Sequence, residues 1–293
     1  MVYTTTPPAA LTLRRGTPAD AAICGQICYD AFRQISAQHN FPPDFSNQEV
    51  VQGMMGMLFA HPNVYSVVAE AAGQVVGSNF LWEESAIAGV GPITVTPAVQ
   101  NASLGRRLME SVLDRAEQQG FAGVRLVQTA FHNRSLSLYI KLGFDVQEPL
   151  ANLQGPALNL AIPGYPVRPA TEVDVAECDR LCLQVHGFTR SSELRQAIDQ
   201  GTATLVEHNG QIVGYATGLG FFGHAVGYHN EALKALIGAA PAFDGPGFLL
   251  PTRNSSLFRW CLEHGLRVVQ PMTLMSRGLY HQPAGAFLPS ILF

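Results

Sequence analysis

Charge is scarce in this chain. Only 14% of its 293 residues are Asp, Glu, Lys or Arg, against 47% hydrophobic residues. That balance excludes a disordered, solvated polymer and demands folded cores. With 18 basic and 22 acidic residues the net charge is −4, so no global basic field invites nucleic acid or an anionic membrane. No apolar run approaches the roughly 18 residues that suggest a membrane-spanning helix. The first eight residues carry no charged segment followed by an apolar one, so no signal peptide is expected and the expected address is the cytoplasm. Cysteine is sparse too, with five residues. Cys24/Cys28 and Cys178/Cys182 have one-turn helical spacing, yet no neighbouring His or Cys completes a tetrahedral set. They are expected in helix cores, and no metal is expected.

What is present is concentrated in two stretches. In the first, a strand ends at Val95-Thr96-Pro97, turns through Gln100, Asn101, Ala102 and Ser103, and opens a helix at Leu104, Gly105, Arg106 and Arg107. A helix start offers backbone N–H groups without intrahelical partners, which suits phosphate. Leu104, Leu108 and Val112 recur at helical spacing, with Met109, Leu113 and Ala116 beside them. Arg106 and Arg107 sit in the first turn, where the helix dipole disfavours cations by roughly 0.3–1 kcal/mol; a bound polyanion reverses that sign. In the second stretch, His132-Asn133-Arg134 leads a short helix bearing Tyr139, which stops at Leu142-Gly143-Phe144. Residues 124–129 between them read as a strand.

Together these stretches resemble the GNAT superfamily of acetyl-CoA-dependent acyltransferases. The resemblance implies that the loop from Gln100 to Arg107 cradles the CoA pyrophosphate and that the Tyr139 helix lies beside the thioester. Gln100, Gly105, Arg106, Leu108, Arg134, Tyr139, Leu142, Gly143 and Phe144 match in register. Ser103 replaces a usual glycine and is expected to keep the cradle with a negative φ, since a positive one costs more than with glycine. His132 replaces a usual asparagine and is expected to reach a pantetheine amide. The family pattern also implies a backbone N–H donor to the thioester carbonyl within Ile93, Thr94 and Val95, with Val95 preferred.

The chain also repeats itself. Arg14, Thr17, Asp20, Cys24 and Cys28 recur as Arg168, Thr171, Asp174, Cys178 and Cys182, and Glu70-x-x-Gly73-Gln74 recurs as Glu207-x-x-Gly210-Gln211. The Tyr139 helix returns with Asn254, Cys261 and Gly265. Ordered self-similarity of this kind means duplication. The expected fold is α+β, in α/β/α layers: two tandem GNAT-like domains, each a mixed, mostly antiparallel sheet flanked by helices. The expected division is 1–162, binding acetyl-CoA and catalytic, and 163–293, with a degenerate cofactor site because no Gln-x-x-Gly-x-Gly recurs there. Cys261 is expected as a buried helix residue. His224 and His229 are read as surface or loop residues, or as lining an acceptor pocket between domains. Arg253 is read as a structural salt bridge or a carboxylate binder, and residues 286–293 as a buried last strand or an interface.

For acyl transfer, Tyr139 is the natural acid for the departing thiolate, since a phenol of pKa near 10 matches its basicity. Neighbours on an extended chain face opposite sides, so one of Glu83 and Glu84 at most faces the site, and Glu84 is the chosen proton acceptor. Asp44 and Glu49 are further candidates on the acceptor side, with Phe32, Phe59 and Trp82 as apolar walls. The expected activity is direct transfer of an acetyl group from acetyl-CoA to a primary amine of a small molecule or peptide, in a ternary complex. The alternative is a non-catalytic CoA or acyl-CoA sensor on the same fold. No partner is expected among nucleic acids or membranes, and the sequence leaves the oligomeric state open.

Overall fold

In the computed structural model of the protein, residues 11–97 and 103–292 are described. The first copy runs β1 (Leu11–Arg15), α1 (Ala21–Gln38), α2 (Gln48–Ala60), β2 (Val64–Ala71), β3 (Gln74–Trp82), β4 (Ile87–Val90), β5 (Thr94–Val95), α3 (Leu104–Gln118), β6 (Gly123–Thr129), α4 (Asn133–Lys141) and β7 (Asp145–Gln154). The second runs β8 (Val167–Pro169), α5 (Val175–His186), α6 (Ser191–Asp199), β9 (Thr204–His208), β10 (Gln211–Ala216), β11 (Ala225–Gly227), α7 (Asn230–Ala239), β12 (Phe248–Pro251), α8 (Ser255–Glu263), β13 (Arg267–Gly278) and β14 (Ala286–Leu288). Helices and mixed sheets form the two-sheet α+β architecture expected of tandem GNAT-like domains.

The duplication is written in side chains as well as in element order. Arg14 donates to both carboxylate oxygens of Asp20 at 2.7 and 2.9 Å, and through Nε to Glu70 at 2.7 Å. Arg168 donates in the same way to Asp174 at 2.8 and 2.9 Å and to Glu207 at 2.9 Å. Each aspartate also accepts from the backbone and hydroxyl of its threonine, Thr17 or Thr171, capping the turn into the first helix. Arg14 beside it overrides the effect of burial and holds the Asp20 carboxyl down at about 2. The cysteine pairs then fall on the buried faces of α1 and α5 and pack into separate cores.

The β2–β3 and β9–β10 hairpins use the same turn, with φ of 51° and 74° at Ala72 and Gly73, and 52° and 74° at Asn209 and Gly210. Both central residues are left-handed, which matches the twist of the strands. Asparagine tolerates that conformation and alanine does not, so Ala72→Asn should stabilise the protein by roughly 0.5–1 kcal/mol, read as a higher urea midpoint.

The sheets do not divide as the copies do. The large sheet has the order β1-β2-β3-β4-β6-β13-β7-β12, with β5 pairing β3; the other is β14-β11-β10-β9-β8. Strand β13 of the second copy therefore lies between β6 and β7 of the first, antiparallel to both. Its counterpart β7 lies in turn between β13 and β12 of the second copy. Each copy thus inserts the strand that follows α4 or α8 into the other's ladder, in a locally two-fold arrangement. Residues 286–288 form a buried strand, one of the two readings left open for the apolar tail. Among the described residues, no helix is long and apolar enough to cross a membrane.

Candidate active site

The site opens where two central strands part. Strand β4 pairs with β6, in parallel, only through Ile87, Ala88 and Gly89. Pro92 has no N–H to continue the ladder, and the chain resumes as β5 against Gly77 and Ser78 of β3. Strand β6 continues to Thr129, held by β13. Between the diverging strands lies a cavity of about 880 Å³.

Most of the expected residues meet there. Ile93, Thr94 and Val95 line it from the parted strand, Ser103, Leu104, Gly105 and Arg106 from the head of α3, and His132, Arg134 and Tyr139 from the start and body of α4. Helix α3 is positioned by its apolar face, with Leu104, Leu108, Met109, Val112, Leu113 and Ala116 all buried. Gln100, Asn101 and Ala102 lie outside the described residues. Arg107 turns away: its Nη1 donates to the Leu11 carbonyl at 3.2 Å, and it lines a separate surface depression beside Glu110 and Asp114.

Ser103 departs from the expected negative φ. It sits at φ 58°, ψ 11°, as the left-handed residue that turns the chain into α3. The backbone shape that glycine would supply is retained by serine, at a strain of order 1–2 kcal/mol.

Tyr139 is 5% exposed. Its hydroxyl is hydrogen-bonded to Ser135, and burial pushes the phenol up to about 12. Ser135 Oγ lies 2.6 Å from His132 Nδ1. Burial lowers His132, and the neighbouring Arg134 and His39 lower it further. Positions 132, 135 and 139 share one face of α4, so a hydrogen-bonded line joins the phenol through Ser135 to the His132 imidazole.

Glu84 is not part of this cavity. Its Oε1 accepts from Gln196 Nε2 of α6 at 2.8 Å and from Asn63 Nδ2 at 3.5 Å, and lies 3.4 Å from His61 Nε2. Glu83 faces the other way, clamped by Arg115 at 2.7 and 3.0 Å. The alternation between the two carboxylates is as expected, but neither side of it is the parted-strand cavity; Glu84 faces a crevice against α6. Glu49 is exposed on the first turn of α2. The one carboxylate among the described residues lining the cavity is Asp44. Burial raises its pKa, and a hydrogen bond from Gln270 lowers it in part.

Sequence reading missed the contribution of the second copy. Phe221, Phe222, Met272, Ile291 and Leu292 close one wall of the cavity, and Gln270 of the β13 segment reaches Asp44 at 2.7 Å. The corresponding opening in the second copy is filled: β14 pairs along β11 and packs against β12. Asn254 is taken up by Asn230, with amide hydrogen bonds at 2.8 and 2.9 Å. Cys261, in the place of Tyr139, is buried, and burial pushes its thiol up to about 12, which keeps it protonated. His224 lies in the loop before β11 but is buried, 1% exposed, and does not line the cavity; Arg253 is a structural partner of Glu148 at 2.5 Å.

Comparison with known proteins agrees with this geometry. Residues 29–144 match the acetyltransferase (GNAT) family. An uncharacterised N-acetyltransferase of Escherichia coli K12, YjgM, is 25% identical over 144 residues, covering 47% of this chain and 84% of that protein. A putative acetyltransferase from Pyrococcus horikoshii superposes with a TM-score of 0.71 at 16% identity, covering 98% of this chain and 97% of that one. A GCN5-related N-acetyltransferase from Sphaerobacter thermophilus gives 0.60 at 17% identity, covering 94% and 98%. At those identities the two structures speak for the fold alone, and they do so over nearly the whole chain. With the parted strands, the helix start and the buried tyrosine converging on one cavity, residues 29–144 carry an acetyltransferase (GNAT) domain, and the chain is an acyltransferase.

Proposed function

We propose that the protein transfers an acetyl group from acetyl-CoA directly to a primary amine of a small molecule or peptide, within a ternary complex and without a metal. The first copy, residues 1–162, is the catalytic one; the second, 163–293, walls the acceptor side and has a degenerate cofactor site. The observation that carries this reading is the placement of Tyr139 in the cavity between the parted strands, opposite the start of α3.

The cavity suits the co-substrate in two respects. Arg106 and the first-turn N–H groups of α3 would hold the phosphates. Gln128, 6% exposed on the cavity wall, has both amide atoms without a partner among the described residues; an amide-bearing arm such as pantetheine satisfies both. Acetyl-CoA supplies an acetyl thioester, whose carbonyl carbon bonds to the amine nitrogen while the C–S bond breaks and sulfur keeps the electron pair. Asp44, at the cavity, takes over the proton-acceptor role first given to Glu84 and removes one proton from the ammonium. Tyr139 Oη delivers its proton to the sulfur and is restored by the second proton that the nitrogen sheds. One proton per turnover passes to solvent.

Calorimetric titration with acetyl-CoA tests the assignment. One site per chain is expected, weakened at least ~10-fold in Arg106→Glu by loss of a charge-assisted phosphate contact and unchanged in Arg107→Glu. Two sites would overturn the degeneracy of the second copy. No binding would overturn both the catalytic and the sensor readings.

A further inference from the structure

The acceptor end of the cavity carries its own specification. Asp44 Oδ1 accepts from Gln270 Nε2 at 2.7 Å, but Asp44 Oδ2 and Gln270 Oε1 are both buried with no partner among the described residues. Two acceptors joined in one cluster and left unsatisfied call for a donor with several N–H groups, since each costs free energy while unpaired. An ammonium has three such donors and the opposite charge. Around this pair the wall is largely apolar, with Phe32, Phe45 and Met54 of the first copy and Phe221, Phe222 and Ile291 of the second, and Gln34, Gln38 and His39 supply its neutral polar positions.

The charges lining the cavity narrow the class. Asp44 is its one carboxylate among the described residues, so a second cationic group would find no further acidic partner among them. Its cationic side chains, Arg106, Arg134 and Lys141, lie on α3 and α4, toward the proposed phosphate end. A carboxylate on the acceptor would therefore lack a partner beside Asp44. From this we infer that the acceptor is a monocationic amine with an apolar or aromatic body, its ammonium held by Asp44 and Gln270 and its body by aromatic side chains from both copies. This rests on the acetyl-transfer reading and adds the acceptor class to it. It disfavours polyamines, aminoglycosides, lysine-bearing peptides and free amino acids.

The test uses the full chain with three probes: 2-phenylethylamine, spermidine and phenylalanine. Acetyl transfer is followed by thiol release. Binding of each probe to the CoA-loaded protein is measured separately by calorimetry. Phenylethylamine should exceed the other two by at least ~30-fold in kcat/KM, the size of effect expected from one uncompensated buried charge. Asp44→Asn should weaken its binding on the order of 10²-fold by removing the charge while preserving shape and the Gln270 contact. Phe222→Ala, at a half-exposed position that tolerates truncation, should raise its KM several-fold. Equal or better use of spermidine or phenylalanine, or unaltered binding in Asp44→Asn, would overturn the acceptor class while leaving acetyl transfer standing. Asp44-dependent binding of phenylethylamine without thiol release would support the class and sink acetyl transfer. Neither binding nor release with any probe would overturn both.

Discussion

Tyr139→Phe should lower kcat by on the order of 10²–10³-fold, the usual contribution of a positioned general acid, while acetyl-CoA affinity stays within twofold. The substitution removes one oxygen from a ring already packed between the cores of α3 and Phe144, so the fold has no reason to change. In the proposed reaction, the proton it removes is the one that meets the departing sulfur. The pH profile carries a second signature. Because burial pushes the phenol up to about 12, the acid form persists through neutral and mildly alkaline pH. The alkaline limb of kcat should therefore show no descent that disappears in the phenylalanine variant below about pH 10. Steady-state kinetics across pH with both proteins decides the matter; unchanged turnover in the variant would remove the role from Tyr139.

Glu193→Gln should be among the most destabilising isosteric changes in the chain. Arg190, 3% exposed, donates to Glu193 at 2.6 and 2.9 Å. The same carboxylate lies 3.3 Å from His224 Nδ1, and His224 Nε2 lies 3.1 Å from the Tyr215 hydroxyl. Neutralising the carboxylate leaves a buried guanidinium without its counter-charge, a change that costs about 3 kcal/mol where one partner retains some solvent contact. Urea denaturation should register it as a lower midpoint with an unaltered slope.

The same cluster sets an acid limit on stability. Burial, with Arg190 adding to it, lowers His224 from 6.5 to about 4. Below pH 6.5 the unfolded chain takes the proton first, so stability falls as pH drops from 6.5 toward 4. Glu193 opposes its own burial with the Arg190 charge and is held down at about 2 from 4.5. Its contribution is present above pH 4.5 and is lost as pH falls toward 2.

Legibility of the sequence followed the range of the interactions. Helix α3 and the helix of Tyr139 were readable because their apolar periodicity and stop signals are local. The duplication was readable because Arg14, Thr17 and Asp20 act within seven residues and keep their spacing in the second copy. The partner of Asp44 was not readable, since Gln270 lies 226 positions away and strand exchange leaves no local mark on either residue. Glu84 failed for a related reason. Alternation along a strand tells which residues share a face, but not which of two faces borders the cavity. Ser103 misled in conformation because a serine held left-handed has no signature of its own.

The exchanged strand sets an order of events for the nascent chain. Strand β6 waits for residues 267–278 before its second edge is covered, and β7 waits for the same segment and for 248–251. At a synthesis rate of about 5–20 residues per second, two strand edges of the first copy stand open for roughly 6–30 s after they emerge. Such edges are templates for pairing with a neighbouring chain. The fragment 1–162 made alone would keep them open and available to a second copy of itself. Fusion of the two copies in one polypeptide turns that encounter between molecules into loop closure within one, at high effective concentration.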